Sequence, residues 1–93
     1  MEIRKVKIHN SAGIHCRPAS VILNTINAEF PHETFTLYTS MNEAIELHGI
    51  LDLISLGLQC GDEATLQVEG DRAAAAADRI AALLEHEFDF PPQ

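Results

Sequence analysis

Two periods alternate along the chain. Val6 and Ile8 face one way while Lys5 and Lys7 face the other, a period of two that predicts a strand over residues 2–8. Ala19, Ile22, Leu23 and Ile26 then fall three and four apart, the apolar stripe of a helix over 16–28 that Pro31 stops. Alternation returns at 34–38, with Phe35 and Leu37 inward, and a turn at 39–42 leads to a third strand over 43–47 with Ile45 and Leu47 inward. The run 48–57 is too long and too apolar for a half-exposed strand. It reads as a second helix, stopped near Gly57 or Gly61. Ala64, Leu66 and Val68 alternate with Thr65, Gln67 and Glu69 in a fourth strand. Gly70-Asp71 turns the chain and caps a third helix over 72–88, with Ala73, Ala76, Ala77, Ile80, Leu83 and Leu84 as its buried stripe. Residues 89–93, with Pro91-Pro92, read as a tail to a domain spanning 1–88. The order β-α-β-β-α-β-α predicts an α+β fold, three helices on one face of an antiparallel sheet whose other face is wet.

Composition narrows the function classes. The chain has 93 residues, 46% of them hydrophobic, enough for one small domain with a stability of about 5–10 kcal/mol. A formal charge of −8 argues against nucleic acid or an anionic membrane as partner. No apolar run approaches the roughly 20 residues of a membrane span, so no membrane insertion is expected. No signal-peptide pattern precedes the first strand, and a cytoplasmic chain with Cys16 and Cys60 as free thiols is expected. Arg4, Lys5 and Lys7, three of the six cations, sit on the first strand and mark a solvated face or a protected edge.

The junction between first strand and first helix carries the candidate chemistry. It reads Asn10-Ser11-Ala12-Gly13-Ile14-His15-Cys16-Arg17-Pro18-Ala19. Gly13 permits the positive φ needed to leave a strand abruptly. Pro18 has a φ near the helical value and lacks the N–H that a first turn leaves unpaired, which puts His15 at or just before the N-cap. The N–H groups of Cys16, Arg17 and Ala19 are then orphan donors, and together with the helix dipole they favour a dianion there. The same potential disfavours imidazolium and leaves His15 a neutral, nucleophilic nitrogen. Arg17 is the only Lys or Arg between Ile8 and Arg72, and its guanidinium can spread the charge of transferring phosphoryl oxygens. A histidine near a helix start is more often a cap or a surface residue. A histidine, an isolated cation and a helix start together suit a histidine that is itself phosphorylated. Cys16 with His15, and His9 or His48, would offer a soft-metal site, but that spacing fits no standard metal pattern. His32 and His86 read as solvent-facing.

The run Gly13-Ile14-His15-Cys16-Arg17-Pro18-Ala19 closely resembles the active-site segment of the HPr family, the histidine-containing phosphocarrier proteins of the phosphoenolpyruvate:sugar phosphotransferase system. Residues 49–57, ending Ser55-Leu56-Gly57, are similar to that family's second helix, and Gly61-Asp62-Glu63 to its approach to the fourth strand. The resemblance covers nearly the whole chain. It implies an open-faced two-layer sandwich with sheet order 1-4-2-3, three helices covering one face. It also implies that His15 accepts a phosphoryl group from phosphorylated enzyme I and passes it to an EIIA-type domain of a sugar or regulatory phosphotransferase system. Arg17 would be the catalytic partner, and the backbone amides of Cys16 and Arg17 would hold the phosphate. Such a chain is a phosphoryl carrier rather than an enzyme acting alone, monomeric, with no cofactor or metal. The alternative is a regulatory protein-binding module whose partner affinity is switched by His15 phosphorylation, without a role in sugar transport.

Three departures from the family's pattern qualify that expectation. Many relatives carry a regulatory serine at the start of the second helix. Aligned through Ser55-Leu56-Gly57, that position is Gly49; counted from His15 it is Glu46, and neither carries a hydroxyl. The first alignment keeps Ile45 and Leu47 inward and places a short insertion between the first helix and the third strand. The family's partner-docking face, apolar with a lysine rim, corresponds here to Ser20, Asn24, Ile50, Leu51 and Ile54, with Asp52 near the rim and no lysine. Helical spacing prevents Ile50, Leu51 and Ile54 from all pointing inward, so an exposed apolar patch is expected. Ala12 stands where many relatives have a small polar residue.

Overall fold

Alternating side chains build the sheet. The structure, a computed structural model, describes residues 1–10, 13, 14 and 16–86. Strands β1 (Glu2–Lys7), β2 (Thr34–Thr39), β3 (Ala44–Glu46) and β4 (Glu63–Glu69) form one antiparallel sheet in the order β1-β4-β2-β3. Its register sets Val6 opposite Ala64, Leu66 opposite Leu37, and Val68 opposite Phe35. These inward residues meet Ala19, Ile22, Leu23 and Ile26 of α1 (Cys16–Glu29), Leu53 of α2 (Ile50–Ser55), and Ala73, Ala76, Ala77, Ile80 and Leu84 of α3 (Ala73–Glu85) in one buried cluster. Phe35, Leu37, Leu53 and Leu66 are almost wholly excluded from solvent, and truncating any of the leucines to alanine would cost about 2–5 kcal/mol. The small alanines of α3 bring its axis close to β1 and β4, on which it packs.

The cations of β1 divide between the two faces. Lys5 and Lys7 point to the open side, as their parity demands, but Arg4 shares the parity of Val6 and Ile8 and lies on the helix side. There its Nε donates to Asp78 of α3 at 3.0 Å and its Nη1 to Glu2 at 3.0 Å. Those hydrogen bonds, Asp78 first, raise the guanidinium's pKa above its ordinary value. The edge of β1 is blunted by α3 as well, since the Lys7 N–H donates to a Glu85 carboxylate oxygen at 3.0 Å.

Helix ends differ from the expected ones. The second helix occupies only Ile50–Ser55, because Asp52 Oδ2 accepts from the N–H groups of His48 and Gly49 at 2.9 and 3.0 Å and holds both outside the first turn. Gly57, at φ +64°, closes the other end. The third helix ends at Glu85, with His86 extended; residues 87–93, including the expected tail, lie outside the described residues. Asp71 does not cap that helix through its side chain. Instead Glu33 Oε1 accepts the Arg72 N–H at 3.1 Å, while Arg72 Nη1 donates to the Glu29 carbonyl at the end of α1. The third strand's ladder covers Ala44–Glu46, although backbone bonds from Leu47 N–H to Phe35 O and from Thr39 N–H to Glu43 O extend the pairing to 43–47. Leu83 is half-buried rather than central to its stripe.

Candidate functional site

The junction that carries the candidate chemistry meets a loop from far along the chain. Beyond β1, Ile8 continues the pairing with the α2–β4 loop: its N–H donates to Asp62 O at 2.8 Å and its carbonyl accepts from Gly61 N–H at 2.7 Å. That loop closes on itself, because Gln59 N–H donates to Asp62 Oδ2 and Asp62 N–H to Gln59 O. Asn10 keeps the inward parity of Val6 and Ile8 and is the one buried polar residue among the described residues. Its Nδ2 donates to Gly13 O at 2.8 Å, and its carbonyl accepts from Gly13 N–H at 2.8 Å. Ile14 N–H then donates to Leu58 O at 2.9 Å.

Gly13 adopts φ +73°, and a Cβ there would stand 2.6 Å from Leu58 O and 2.9 Å from Gln59 Cα. Positive φ and close backbone approach each require glycine at this turn.

Helix α1 follows at once. It starts at Cys16, with Cys16 and Arg17 exposed and Pro18 buried in its first turn. His15, Ser11 and Ala12 lie outside the described residues. Along α1, Arg17, Ser20, Val21 and Asn24 fall three and four apart on the side away from the core: Arg17, Val21 and Asn24 are exposed and Ser20 is half-buried. Helix α2 packs against α1. Its Leu51 is 79% exposed and Ile50 37%, whereas Ile54 is half-buried against the core. Leu53 is the residue that α2 buries. The expected exposed apolar residues of α2 are therefore Leu51 and Ile50; Val21 on α1, which sequence reasoning did not single out, is exposed as well. Among the described residues no group of three or more His, Cys, Asp or Glu is placed to hold a metal ion, and no helix is long and apolar enough to cross a membrane.

The family model described as the PTS HPr component phosphorylation site matches residues 3–86. The chain belongs to the HPr family. It is 35% identical over 81 residues to the phosphocarrier protein HPr of Mycoplasma pneumoniae, covering 87% of this chain and 90% of that one. The phosphocarrier protein HPr of Treponema pallidum is 27% identical over 89 residues, covering 96% and 98% of the two chains. A crystal structure of HPr from Bacillus anthracis, 21% identical, shares the fold with a TM-score of 0.80 over 90% of this chain and 96% of that one. The three helices and the antiparallel sheet of order 1-4-2-3 are thus those of an HPr, a phosphocarrier of the phosphotransferase system.

Within this HPr fold the start of α2 bears on the two alignments of the regulatory position. Gly49 is the N-cap of α2, with an extended backbone at φ −158° and ψ 175°. Glu46 lies in β3, where its Oε2 is 3.2 Å from His48 Nε2. Gly49 is therefore the candidate that stands at a helix start.

Asn10, Leu58 and Asp62 were the residues missed as parts of the site's scaffold. Asn10 left a signal, an amide side chain at core parity that must find a buried partner.

Proposed function

We propose that the chain is a phosphocarrier that accepts a phosphoryl group on His15 from phosphorylated enzyme I and delivers it to an EIIA-type domain in the cytoplasm. The observation that carries this reading is the start of α1 at Cys16, directly after His15 in the chain, with Arg17 exposed in the first turn. A helix start supplies unpaired N–H donors and the positive end of the dipole to whatever group the preceding residue bears. In the transfer, the P–N bond to the donor histidine breaks as a P–N bond to a ring nitrogen of His15 forms, in line, and the donor ring keeps the electron pair. Arg17 and the amides of Cys16 and Arg17 stabilise the charge on the three phosphoryl oxygens. The step reverses with equal ease toward an acceptor histidine of like basicity, which is what a carrier requires. Ser20, Asn24, Ile50 and Leu51 form the docking surface, with Leu51 as its apolar centre, while Ile54, also expected there, contributes only the part of its side chain that the core leaves uncovered.

The test is direct. Incubated with phosphoenolpyruvate and a cognate enzyme I, the full chain gains one acid-labile phosphoryl group, which tandem mass spectrometry maps to His15, and His15→Ala gains none. Label that persists in His15→Ala, or that maps to His9 or His48, refutes the assignment.

A further inference from the structure

We propose that Asn10 is a positioning residue for phosphoryl transfer. Resting on the carrier reading above, the inference assigns to its carboxamide the task of fixing the peptide between Gly13 and Ile14 and so the direction in which the chain reaches His15. A buried amide side chain beside a short turn has two roles open to it: it fills space, or it dictates a backbone geometry. The bonds here are of the second kind.

Asn10 is 2% exposed, and Nδ2 donates to Gly13 O at 2.8 Å while its own carbonyl accepts from Gly13 N–H at 2.8 Å. Both polar groups of Gly13 are thereby tied to one residue. The next amide, Ile14 N–H, is tied to Leu58 O at 2.9 Å, and Ile14 is itself 4% exposed. Gly13 sits at φ +73° with no room for a Cβ against the Leu58–Gln59 backbone, and the peptide between Gly13 and Ile14 is hydrogen-bonded at both its carbonyl and its N–H. The chain then has one residue, His15, before α1 begins at Cys16. The plane at Gly13–Ile14 precedes His15 directly in the chain, so in this proposal a tilt there redirects the approach to His15. Phosphoryl transfer between two protein-borne histidines needs in-line alignment, and a displacement of about 1 Å can cost about a hundredfold in rate. The α2 part of the docking surface is held apart from this turn, since Leu51 and Ile50 are anchored by Leu53 in the core and by the Asp52 cap.

The experiment uses Asn10→Asp, Asn10→Ala and Asn10→Ser in the full chain. Asn10→Asp keeps the shape and removes the donor at neutral pH, Asn10→Ala removes the group, and Asn10→Ser retains a smaller donor. Transfer from phosphorylated enzyme I is measured as kcat and KM with the carrier as varied substrate, alongside each variant's melting temperature. All assays run at a temperature where every variant is folded. The expected result is a fall in kcat of about tenfold or more for Asp and Ala with KM unchanged, and partial recovery with Ser. Amide hydrogen exchange at Ile14 is expected to quicken in step with the loss of kcat, most in Asn10→Asp and Asn10→Ala and less in Asn10→Ser. Three outcomes overturn the proposal. One is wild-type kcat in Asn10→Asp despite faster exchange at Ile14, which makes the bond structural only. Another is a kcat that follows melting temperature alone across the three variants. The third is a wild-type protein that takes no phosphoryl group at all, which removes the carrier reading first and this inference with it.

Discussion

Gly13→Ala is the sharpest probe of how the site is held. The residue sits at φ +73°, where an alanine is disfavoured by about 1–2 kcal/mol. The added Cβ would also lie 2.6 Å from Leu58 O and 2.9 Å from Gln59 Cα, and both are backbone atoms that no side-chain rotation can move aside. The oxygen in its path is the one that accepts the Ile14 N–H at 2.9 Å. Displacing it leaves a buried donor short of its partner, a loss of about 1–3 kcal/mol. Against these stands the reduced freedom of the unfolded chain, which returns about 0.4–1 kcal/mol to any Gly→Ala change. The balance is a destabilisation of about 2–4 kcal/mol, a large share of the roughly 5–15 kcal/mol that holds a domain folded.

Gly57→Ala is the matched control. Its φ is +64°, nearly the same strain, but nothing lies within 4 Å of an added Cβ. Its expected cost is therefore about 1.5 kcal/mol or less, the strain minus the entropic return. Urea unfolding of both variants and the wild type, followed by circular dichroism, measures the difference at equal m-values. If Gly13→Ala proves no less stable than Gly57→Ala, the close approach to the α2–β4 loop does not constrain the turn, and the argument from the loop clasp fails.

Three further outcomes are expected. Arg17→Ala should keep the wild-type melting temperature, since Arg17 is exposed on α1, yet slow phosphoryl transfer by the equivalent of about 1.5–3 kcal/mol, the worth of a charge-assisted hydrogen bond; unchanged rapid-quench rates would show the cation to be incidental. Leu51→Asp, at a side chain 79% exposed, should leave unfolding unchanged and raise KM for enzyme I about tenfold, and an unaltered KM would remove Leu51 from the docking surface. Gly49→Ser has room for its side chain and an ordinary extended backbone, so it should stabilise α2 by about 0.3 kcal/mol as an N-cap and acquire phosphate from an HPr kinase and ATP that leave the wild type unlabelled; stoichiometric label on wild-type Ser55 would contradict the alignment.

The sequence was most legible where a period reached several residues. Val6 and Ile8, the α1 stripe from Ala19 to Ile26, and Ala64-Leu66-Val68 all point where their spacing said, because burial of one face leaves a strand or helix a single choice of register. Pairing between strands is different. Nothing local in Glu2–Lys7 says that it lies beside Glu63–Glu69 rather than β2, so the order 1-4-2-3 was available only through the family resemblance. Helix ends were misjudged where their partners came from elsewhere in the chain. Glu33 supplies the bond at Arg72 that Asp71 was expected to make, and no spacing rule connects a β2 approach to the start of α3. The short α2 was more accessible, since an Asp three residues after Gly49 is the acidic half of a capping box. At the site, Gly13 and Pro18 announced the turn and the helix start, but the partner of Asn10's turn, Leu58, lies between the runs 55–57 and 61–63, and nothing in either run says that the loop touches Gly13.

Charge placement gives Arg17 its particular standing. Arg4 is tied to Glu2 and Asp78, Arg79 lies 3.5 Å from Glu29, and Arg72 donates to the Glu29 carbonyl with its guanidinium 4.9 Å from the Phe30 ring centroid. Three of the six cations thus join α3 to β1 and to the far end of α1. Lys5 and Lys7 project from the open face of the sheet, away from α1 and α2. Around α2 the charges are carboxylates, and two of them already have local partners: Asp52 caps its own helix and Glu46 meets His48. In the proposed function, a partner seated on Ile50 and Leu51 therefore meets exposed apolar surface without a rim of lysines. A cationic rim would attract an acidic partner and the phosphoryl group alike, and the two would compete for the same field. With the rim absent, docking rests on apolar burial, which salt hardly screens. Within that reading Arg17, in the first turn of α1, is the cation offered to the phosphoryl oxygens, so the residue distribution that weakens long-range steering would leave docking and phosphate binding to different groups.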